Sequence, residues 1–299
     1  MKILILGGDG MLGHQLLMSL RQRHDVRVTL RQNENAYQAF QLFNSSNSYF
    51  GVDVCSDDKL KWVLSDFKPQ AVINAVGVIK QRQAANEAIP NIEINALFPH
   101  RLANLCEAHQ ARLIHFSTDC VFSGKTGNYT EKDLSDAKDY YGKCKYLGEV
   151  SGPHCLTLRS SVIGIELSRK ASLIEWFLAQ RGSIKGFRRA IYTGLTTQEM
   201  SRVIEMLLVD YPKLSGLWHV SSQAINKYEL LCQFSNLLGR QDVTISPNDD
   251  FICDRSLLCE PFTVLTGYQS PSWEIMLNEL ANQVKQQNRL FARGISCNV

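Results

Sequence analysis

The chain has 299 residues, a formal net charge of +3 and 44% hydrophobic residues. That length admits one large domain or two modest ones, and the apolar content supports a sizeable core. Near-neutral charge, without a basic run interleaved with aromatics, argues against a nucleic-acid partner. No apolar stretch approaches the ~20 residues of a membrane span, so no membrane association is expected. The nine cysteines show no metal-ligand spacing and read as reduced thiols of a cytoplasmic protein, with no metal site.

Ile3 to Leu6 is a short continuous apolar run, as in a strand buried on both faces. Gly7, Gly10 and Gly13 follow, then the helical pattern Met11, Leu12, Leu16, Leu17, Leu20. Strand, glycine turn and helix form a dinucleotide-binding unit. Gly7 allows the tight turn, Gly10 lets the backbone approach a pyrophosphate, and Gly13 lets the helix pack on the strand. The helix N-terminus presents free N–H groups and a positive dipole end to phosphates. The spacing is G-x-x-G-x-x-G rather than G-x-G-x-x-G.

Val26 to Leu30 is the second expected strand. Asp57 is a candidate cap for a helix containing Leu60, Val63, Leu64 and Phe67. Ala71 to Asn74 is a strand, Asn95 to Glu107 a helix and Leu113 to Phe116 a strand. A helix carrying Tyr141 and Lys145 follows, then a strand from Cys155 to Leu158. The alternation predicts an α/β fold with a doubly wound parallel sheet. Tyr141 and Lys145 are four residues apart, so a phenol and an ammonium share one helix face. A nearby positive charge lowers a phenol's pKa and equips it to exchange a proton with a carbinol or ketone oxygen.

The second half is less regular. Helices are expected at Ser172 to Gln180, Gln198 to Val209, Asn226 to Leu238 and Trp273 to Gln287, a strand at Leu217 to Val220, and a loose tail from Phe291 to Val299. The domain expectation is a dinucleotide-binding domain at 1–165, to which 187–222 returns. A smaller α/β substrate-binding domain is assigned to 166–186 and 223–299.

With these residues in hand, the chain resembles the extended short-chain dehydrogenases/reductases. Within them it is similar to the nucleotide-sugar 4-ketoreductases typified by the dTDP-4-dehydrorhamnose reductases. The likeness rests on the glycine turn, Asn74-Ala75-Val76-Gly77, the run Ser117 to Gly124 and Tyr129-x-Glu131. It continues through the Tyr141/Lys145 pair, Leu158 to Gly164, and Thr193-Gly194-Leu195-Thr196-Thr197.

The resemblance implies NADPH-dependent reduction of the 4-keto group of a nucleotide-linked 4-keto-6-deoxy sugar. It places Thr118 at the reacting oxygen, Tyr141 as proton donor and Lys145 at the nicotinamide ribose. For Thr118 a strand-end hydroxyl satisfying backbone is the alternative. The cofactor site it implies comprises Gly7, Gly10, Met11, Leu12, Gly13, Arg31, Asp53, Val54, Ala75 and Gly77, with Tyr141 and Lys145. The second strand ends at Arg31 without an acid. A guanidinium there suits a 2′-phosphate, favouring NADPH over NADH, although a solvated Arg is the alternative. Asp53 matches the position beside the adenine.

Substrate contacts are expected from Lys80, Asp119, Cys120 and Arg255, the last as a fork donor to a diphosphate. Lys80 reads equally as a solvated lysine. Dehydratase relatives carry a Glu where this chain has Cys120, so elimination lacks its acid. Epimerising relatives pair a Cys there with a His in the loop spanning Ile165 to Ser172, which here holds none. Cys120 therefore reads as a small packed thiol. Departures around Lys80 from the rhamnose-reductase pattern point to another nucleotide or to a 2-acetamido sugar, dTDP- or UDP-linked. A nucleotide-sugar epimerase remains a second reading. A non-catalytic NADP-binding regulatory subunit, like that of methionine adenosyltransferase, remains a third. A homodimer stays open.

Overall fold

In the computed structural model, which describes residues 1–78, 87–168 and 170–292, strand β1 (Lys2–Leu6) organises the first half. Its side chains alternate across the pleat. Ile3 and Ile5 enter one apolar cluster with Leu16 and Leu17 of helix α1 (Met11–Leu20). Leu4 and Leu6 enter a second cluster on the opposite face, with Leu60 and Val63 of α2 (Asp57–Phe67). A strand buried on both faces pairs parallel to both neighbours. These are β2 (Asp25–Thr29) and β4 (Ala71–Asn74), with Ile3 opposite Val26 and Ala71.

Seven strands make the main sheet. Beyond β2 lies the short β3 (Ser48–Tyr49). Beyond β4 lie β5 (Arg112–Phe116), β6 (Cys155–Arg159) and, at the edge, β11 (Gly216–His219). The order β11-β6-β5-β4-β1-β2-β3 is all parallel. It is doubly wound, with the reversal between β1 and β4, where such sheets take ligands beyond their carboxyl ends.

Several boundaries differ from expectation. In place of one helix from Asn95 to Glu107, the chain runs through α3 (Ala88–Asn91), a π-helical stretch (Ile92–Leu97) and α4 (Phe98–Ala108). Pro99 has no N–H to give the Asn95 carbonyl, and a wider turn absorbs the mismatch. Helix α5 (Tyr140–Leu147) comes next in the chain.

The second half holds short strands that the apolar pattern did not show: β7 (Val162–Ile163), β8 (Gly182–Phe187), β9 (Ala190–Tyr192), β10 (Leu195–Thr196), β12 (Ile225–Asn226), β13 (Val243–Asn248) and β14 (Cys253–Asp254). They form three small sheets, β10-β7, β12-β9-β14 and β13-β8. Between them lie α6 (Leu173–Ala179), α7 (Thr197–Val209), α8 (Lys227–Leu238), α9 (Glu260–Thr266) and α10 (Trp273–Ala292). Val203 and Leu207 of α7 join the cluster under β1 and α1, so this segment packs on the large sheet. Phe291 and Ala292, expected in a loose tail, belong to α10; the rest of that tail lies outside the described residues.

Among the described residues no helix is long and apolar enough to cross a membrane. No group of three or more His, Cys, Asp or Glu among them could hold a metal ion.

Candidate active site

One cavity of about 900 Å³ opens at the carboxyl ends of β1, β4 and β5. Its floor is the glycine turn. Gly7 has φ +82°, a left-handed conformation that an L side chain resists. A Cβ on Gly13 would lie 2.1 Å from the Gly7 carbonyl oxygen, so this glycine sets the approach of α1 to the strand. Gly8 is equally constrained: its Cβ would meet that of Val28 at 2.5 Å. The expectation had missed it because the constraint comes from a neighbouring strand. Gly10 caps α1, whose first turn holds no acidic residue. Gly7, Gly10, Met11 and Leu12 line the cavity, while Gly13 packs behind it. This cradle of bare backbone and helix N-terminus fits a pyrophosphate.

Arg31, Asp53, Val54, Ala75 and Gly77 line the same cavity. Arg31 is exposed and also borders a second cavity of about 300 Å³ beside Asp9 and Tyr37. Asp53 accepts a hydrogen bond from the Cys55 N–H at 2.9 Å. Lys80 lies outside the described residues.

The chemical end is built by a close approach of two segments. Thr118 follows β5 and caps a single 3₁₀ turn (Asp119–Val121), its hydroxyl accepting from the Cys120 N–H at 3.1 Å. Asp139 caps helix α5, its carboxylate accepting from the Gly142 N–H at 2.8 Å. A Cβ on Gly142 would lie 2.3 Å from the Cys120 carbonyl oxygen. The glycine inside the Tyr141-Gly142-Lys143 run is thus what lets α5 lie against the Thr118 turn. It brings the Tyr141 phenol into hydrogen-bonding reach of the Thr118 hydroxyl.

Electrostatics correct one expectation. Burial pushes the Tyr141 phenol well above its ordinary value, the negative character of Cys120 adds to this, and the Thr118 hydrogen bond offsets it only in part. Lys145 does not bring it down. The buried Lys145 ammonium donates instead to the Phe116 carbonyl at 2.5 Å. Burial lowers Lys145 to about 8, against some support from Glu149. Lys145 is buried and Tyr141 half-buried, and desolvation outweighs the helical spacing.

Thr118 is also engaged differently from expectation. Its hydroxyl proton points to Asp119 Oδ1 at 3.1 Å, so it must turn from that carboxylate before it can donate to a substrate. The backbone role weighed for this hydroxyl is present too. Asp119 is buried, and burial raises its pKa while the Arg255 guanidinium pulls it back.

Cys120 corrects the packed-thiol reading: it is half-buried and lines the cavity. Arg255 lines it as well, with Nε donating to the Phe122 carbonyl at 2.8 Å. The chain around Arg255 is tied to the loop after Cys120, with Tyr129 N–H donating to the Ser256 carbonyl at 2.8 Å.

Two motif residues prove structural. The Tyr129 hydroxyl accepts from the Gly124 and Lys125 N–H groups, and Glu131 accepts from the His219 N–H at 2.9 Å. Behind the site, Arg159 is 2% exposed and pairs with Glu149 through two hydrogen bonds, at 2.7 and 2.8 Å. Glu149 also accepts from Ser117.

The cavity has further walls that the sequence did not mark. Tyr192, Lys227, Phe251 and Ile252 line it from the second half of the chain. Tyr192 ends β9, Lys227 opens α8 just after β12, and Phe251 and Ile252 immediately precede β14, so the small sheet β12-β9-β14 gathers residues that no apolar pattern marked.

The family model described as "RmlD substrate binding domain" matches residues 1–251. The chain belongs to this family. It is 25% identical over 232 residues to a dTDP-4-dehydrorhamnose reductase of Aggregatibacter actinomycetemcomitans, covering 74% of each chain. It is 26% identical over 267 residues to methionine adenosyltransferase 2 subunit beta of Mus musculus, covering 83% of this chain and 75% of that one. Among solved structures it resembles a dTDP-4-dehydrorhamnose reductase of Bacillus anthracis str. Ames in complex with NADP. The TM-score there is 0.77 at 20% identity, with 94% of this chain and 99% of that chain covered. The fold and the family drawn from the sequence motifs are the ones these comparisons find.

Proposed function

We propose that this protein is an NADPH-dependent reductase of the 4-keto group of a nucleotide-linked 4-keto-6-deoxy sugar. The observation that carries the reading is the meeting of Thr118, Tyr141 and Lys145 in the cavity whose floor is the glycine turn. The glycine turn, Arg31, Asp53, Val54, Ala75 and Gly77 would hold the cofactor. NADPH, when bound, supplies the hydride.

The chain's own groups do the rest. Tyr141, kept protonated by burial, hands its proton to the ketone oxygen as negative charge develops there. Thr118 orients the phenol and, once turned from Asp119, adds a second donor. Lys145 holds the ribose of the cofactor. Arg255 and Lys227, both on the cavity wall, supply positive charge for a diphosphate. Phe251 and Ile252, both exposed at the cavity, offer an apolar face to a nucleobase. Residues 166–186 and 223–299 form the substrate side in this reading. The sugar is dTDP- or UDP-linked in this reading, and a 2-acetamido sugar falls within the class. The dTDP-4-dehydrorhamnose reductase relative supports the reaction.

The likeness to methionine adenosyltransferase 2 subunit beta supports a second reading, a regulatory subunit that binds NADP without turnover. An NADPH-oxidation screen over dTDP-, UDP- and GDP-linked 4-keto-6-deoxy sugars separates the two. Turnover of one of them is expected. Tight NADPH binding with no turnover of any would favour the regulatory reading.

A further inference from the structure

Behind the Thr118 turn lies a buried charged pair for which the reaction above has no use. Arg159, the last residue of β6, is 2% exposed. Its Nε and Nη2 donate to the two carboxylate oxygens of Glu149 at 2.7 and 2.8 Å. Neither residue lines the cavity. A buried ion pair contributes little to a fold, because desolvation offsets most of the attraction. What this pair does reach is the chain on either side of Thr118.

Glu149 follows the end of α5, one residue past Gly148. The carboxylate oxygen that takes Arg159 Nε also accepts from the Ser117 hydroxyl at 2.6 Å. Ser117 immediately precedes Thr118, and its own N–H donates to the Leu158 carbonyl at 2.8 Å. One residue earlier, the Phe116 carbonyl accepts from Lys145. The end of β5 is therefore held at successive residues by Lys145 and Glu149, two side chains of the segment that carries Tyr141. Beyond the turn, the Arg159 guanidinium lies over the Phe122 ring, 5.2 Å from its centroid. The Phe122 N–H donates back to the Asp119 carbonyl at 3.0 Å. Arg159 thus supports both flanks of the turn, through Glu149 and Ser117 before it and through Phe122 after it. Lys145 serves the cofactor ribose in the reading above, whereas the Ser117 proton stays on Glu149.

We propose that Ser117 is a positioning residue, anchored on Arg159 through Glu149, that holds the Thr118 hydroxyl against the Tyr141 phenol. The proposal rests on the reductase reading. Ser117 itself touches neither the ketone nor the phenol; it fixes the backbone from which the Thr118 hydroxyl projects, and a small misplacement of a catalytic group is enough to slow the chemical step.

The test places Ser117→Ala in the wild type and in a Thr118→Ala background, and follows NADPH consumption with a 4-keto sugar nucleotide that the wild type reduces. The substitution leaves the Glu149 carboxylate on Arg159, so no buried charge is orphaned. In the wild-type background the expected result is a ~10- to 100-fold fall in kcat with KM and NADPH affinity kept. In the Thr118→Ala background the same substitution should change kcat by less than about twofold, because the group it holds is gone. An unchanged kcat in the wild-type background overturns the proposal. So does a fall of the same size in both backgrounds, which would give the hydroxyl a role in the fold alone. A loss carried by KM or by NADPH affinity overturns it too, by making Ser117 a ligand contact. Failure of the wild type to reduce any 4-keto sugar nucleotide sinks the reductase reading instead. Hydrogen exchange of the NADP-loaded proteins then decides the positioning without turnover. The Cys120 N–H, which donates to the Thr118 hydroxyl, should exchange ~10-fold faster in Ser117→Ala, and equal rates count against the proposal.

Discussion

Replacing Tyr141 with Phe removes one oxygen and leaves the ring where α5 places it. The lost group lies beside Thr118 on a half-buried ring and is held protonated by desolvation. Loss of a general acid typically costs ~10²–10⁴-fold in rate, about 3–5 kcal/mol of transition-state stabilisation. The cost to the fold is far smaller. One neutral hydrogen bond to Thr118 contributes about 1 kcal/mol, a shift in Tm of roughly 1.5–2 °C for a chain of this size. The pyrophosphate cradle lies on the Gly7 turn, and Lys145, on the same helix as Tyr141, keeps its place, so NADPH affinity should hold. The assay is NADPH consumption with a 4-keto sugar nucleotide, with NADPH titration and thermal melting of the same preparation as controls. The expected pattern is turnover nearly lost, binding kept and stability almost kept. Turnover of the wild-type order in the Phe variant would refute the proton-donor assignment, and a collapse of NADPH binding would show that the hydroxyl serves the cofactor.

Arg31→Ala should weaken NADPH by ~1.5–3 kcal/mol and leave NADH almost unchanged; a preference that survives the substitution makes Arg31 an ordinary surface residue. Reduction run in deuterated water should leave the ring carbons beside the ketone unlabelled, because Cys120 lines the cavity without a His in the loop from Ile165 to Ser172. NMR of the product detects the opposite outcome, Cys120-dependent deuterium, which would place the chain with epimerising reductases. Lys145 has its folded pKa lowered to about 8 from 10.5, so kcat/KM should be flat below pH about 8 and fall with one-proton slope above it. The same shift fixes a stability sign. Below about 8 both states hold the proton and the burial cost is constant. Between about 8 and 10.5 only the unfolded chain holds it, so this group's contribution to stability rises with pH. A rate profile unbroken through pH 8 would contradict Lys145 as the titrating group.

Much of the fold was legible because its signals are local. The run Ile3 to Leu6 and the glycines after it announce strand, turn and helix through side-chain period and backbone freedom alone. The Tyr141/Lys145 spacing announces a shared helix face. Ser117 to Cys120 and Ser123 of the motif run line one cavity with Gly7 and Gly10 of the glycine turn. Pro99 shows the limit. Its missing N–H is plain in the sequence, but whether the helix would stop, kink or widen into a π stretch depended on the packing around Asn95.

The sequence by itself determined the alternating α/β order, the glycine cradle and the shared helix face of Tyr141 and Lys145, because each is written within a few consecutive residues. Only the tertiary structure decided how those groups behave. Burial, set by distant segments closing over the site, drives Tyr141 up and Lys145 down, against what their spacing implies. The approach of α5 to the Thr118 turn depends on Gly142 meeting the Cys120 carbonyl. The cavity wall with Tyr192 and Lys227 exists because short strands far apart in sequence pair into one small sheet. Desolvation and non-local pairing depend on what lies nearby in space, and no window of sequence carries that.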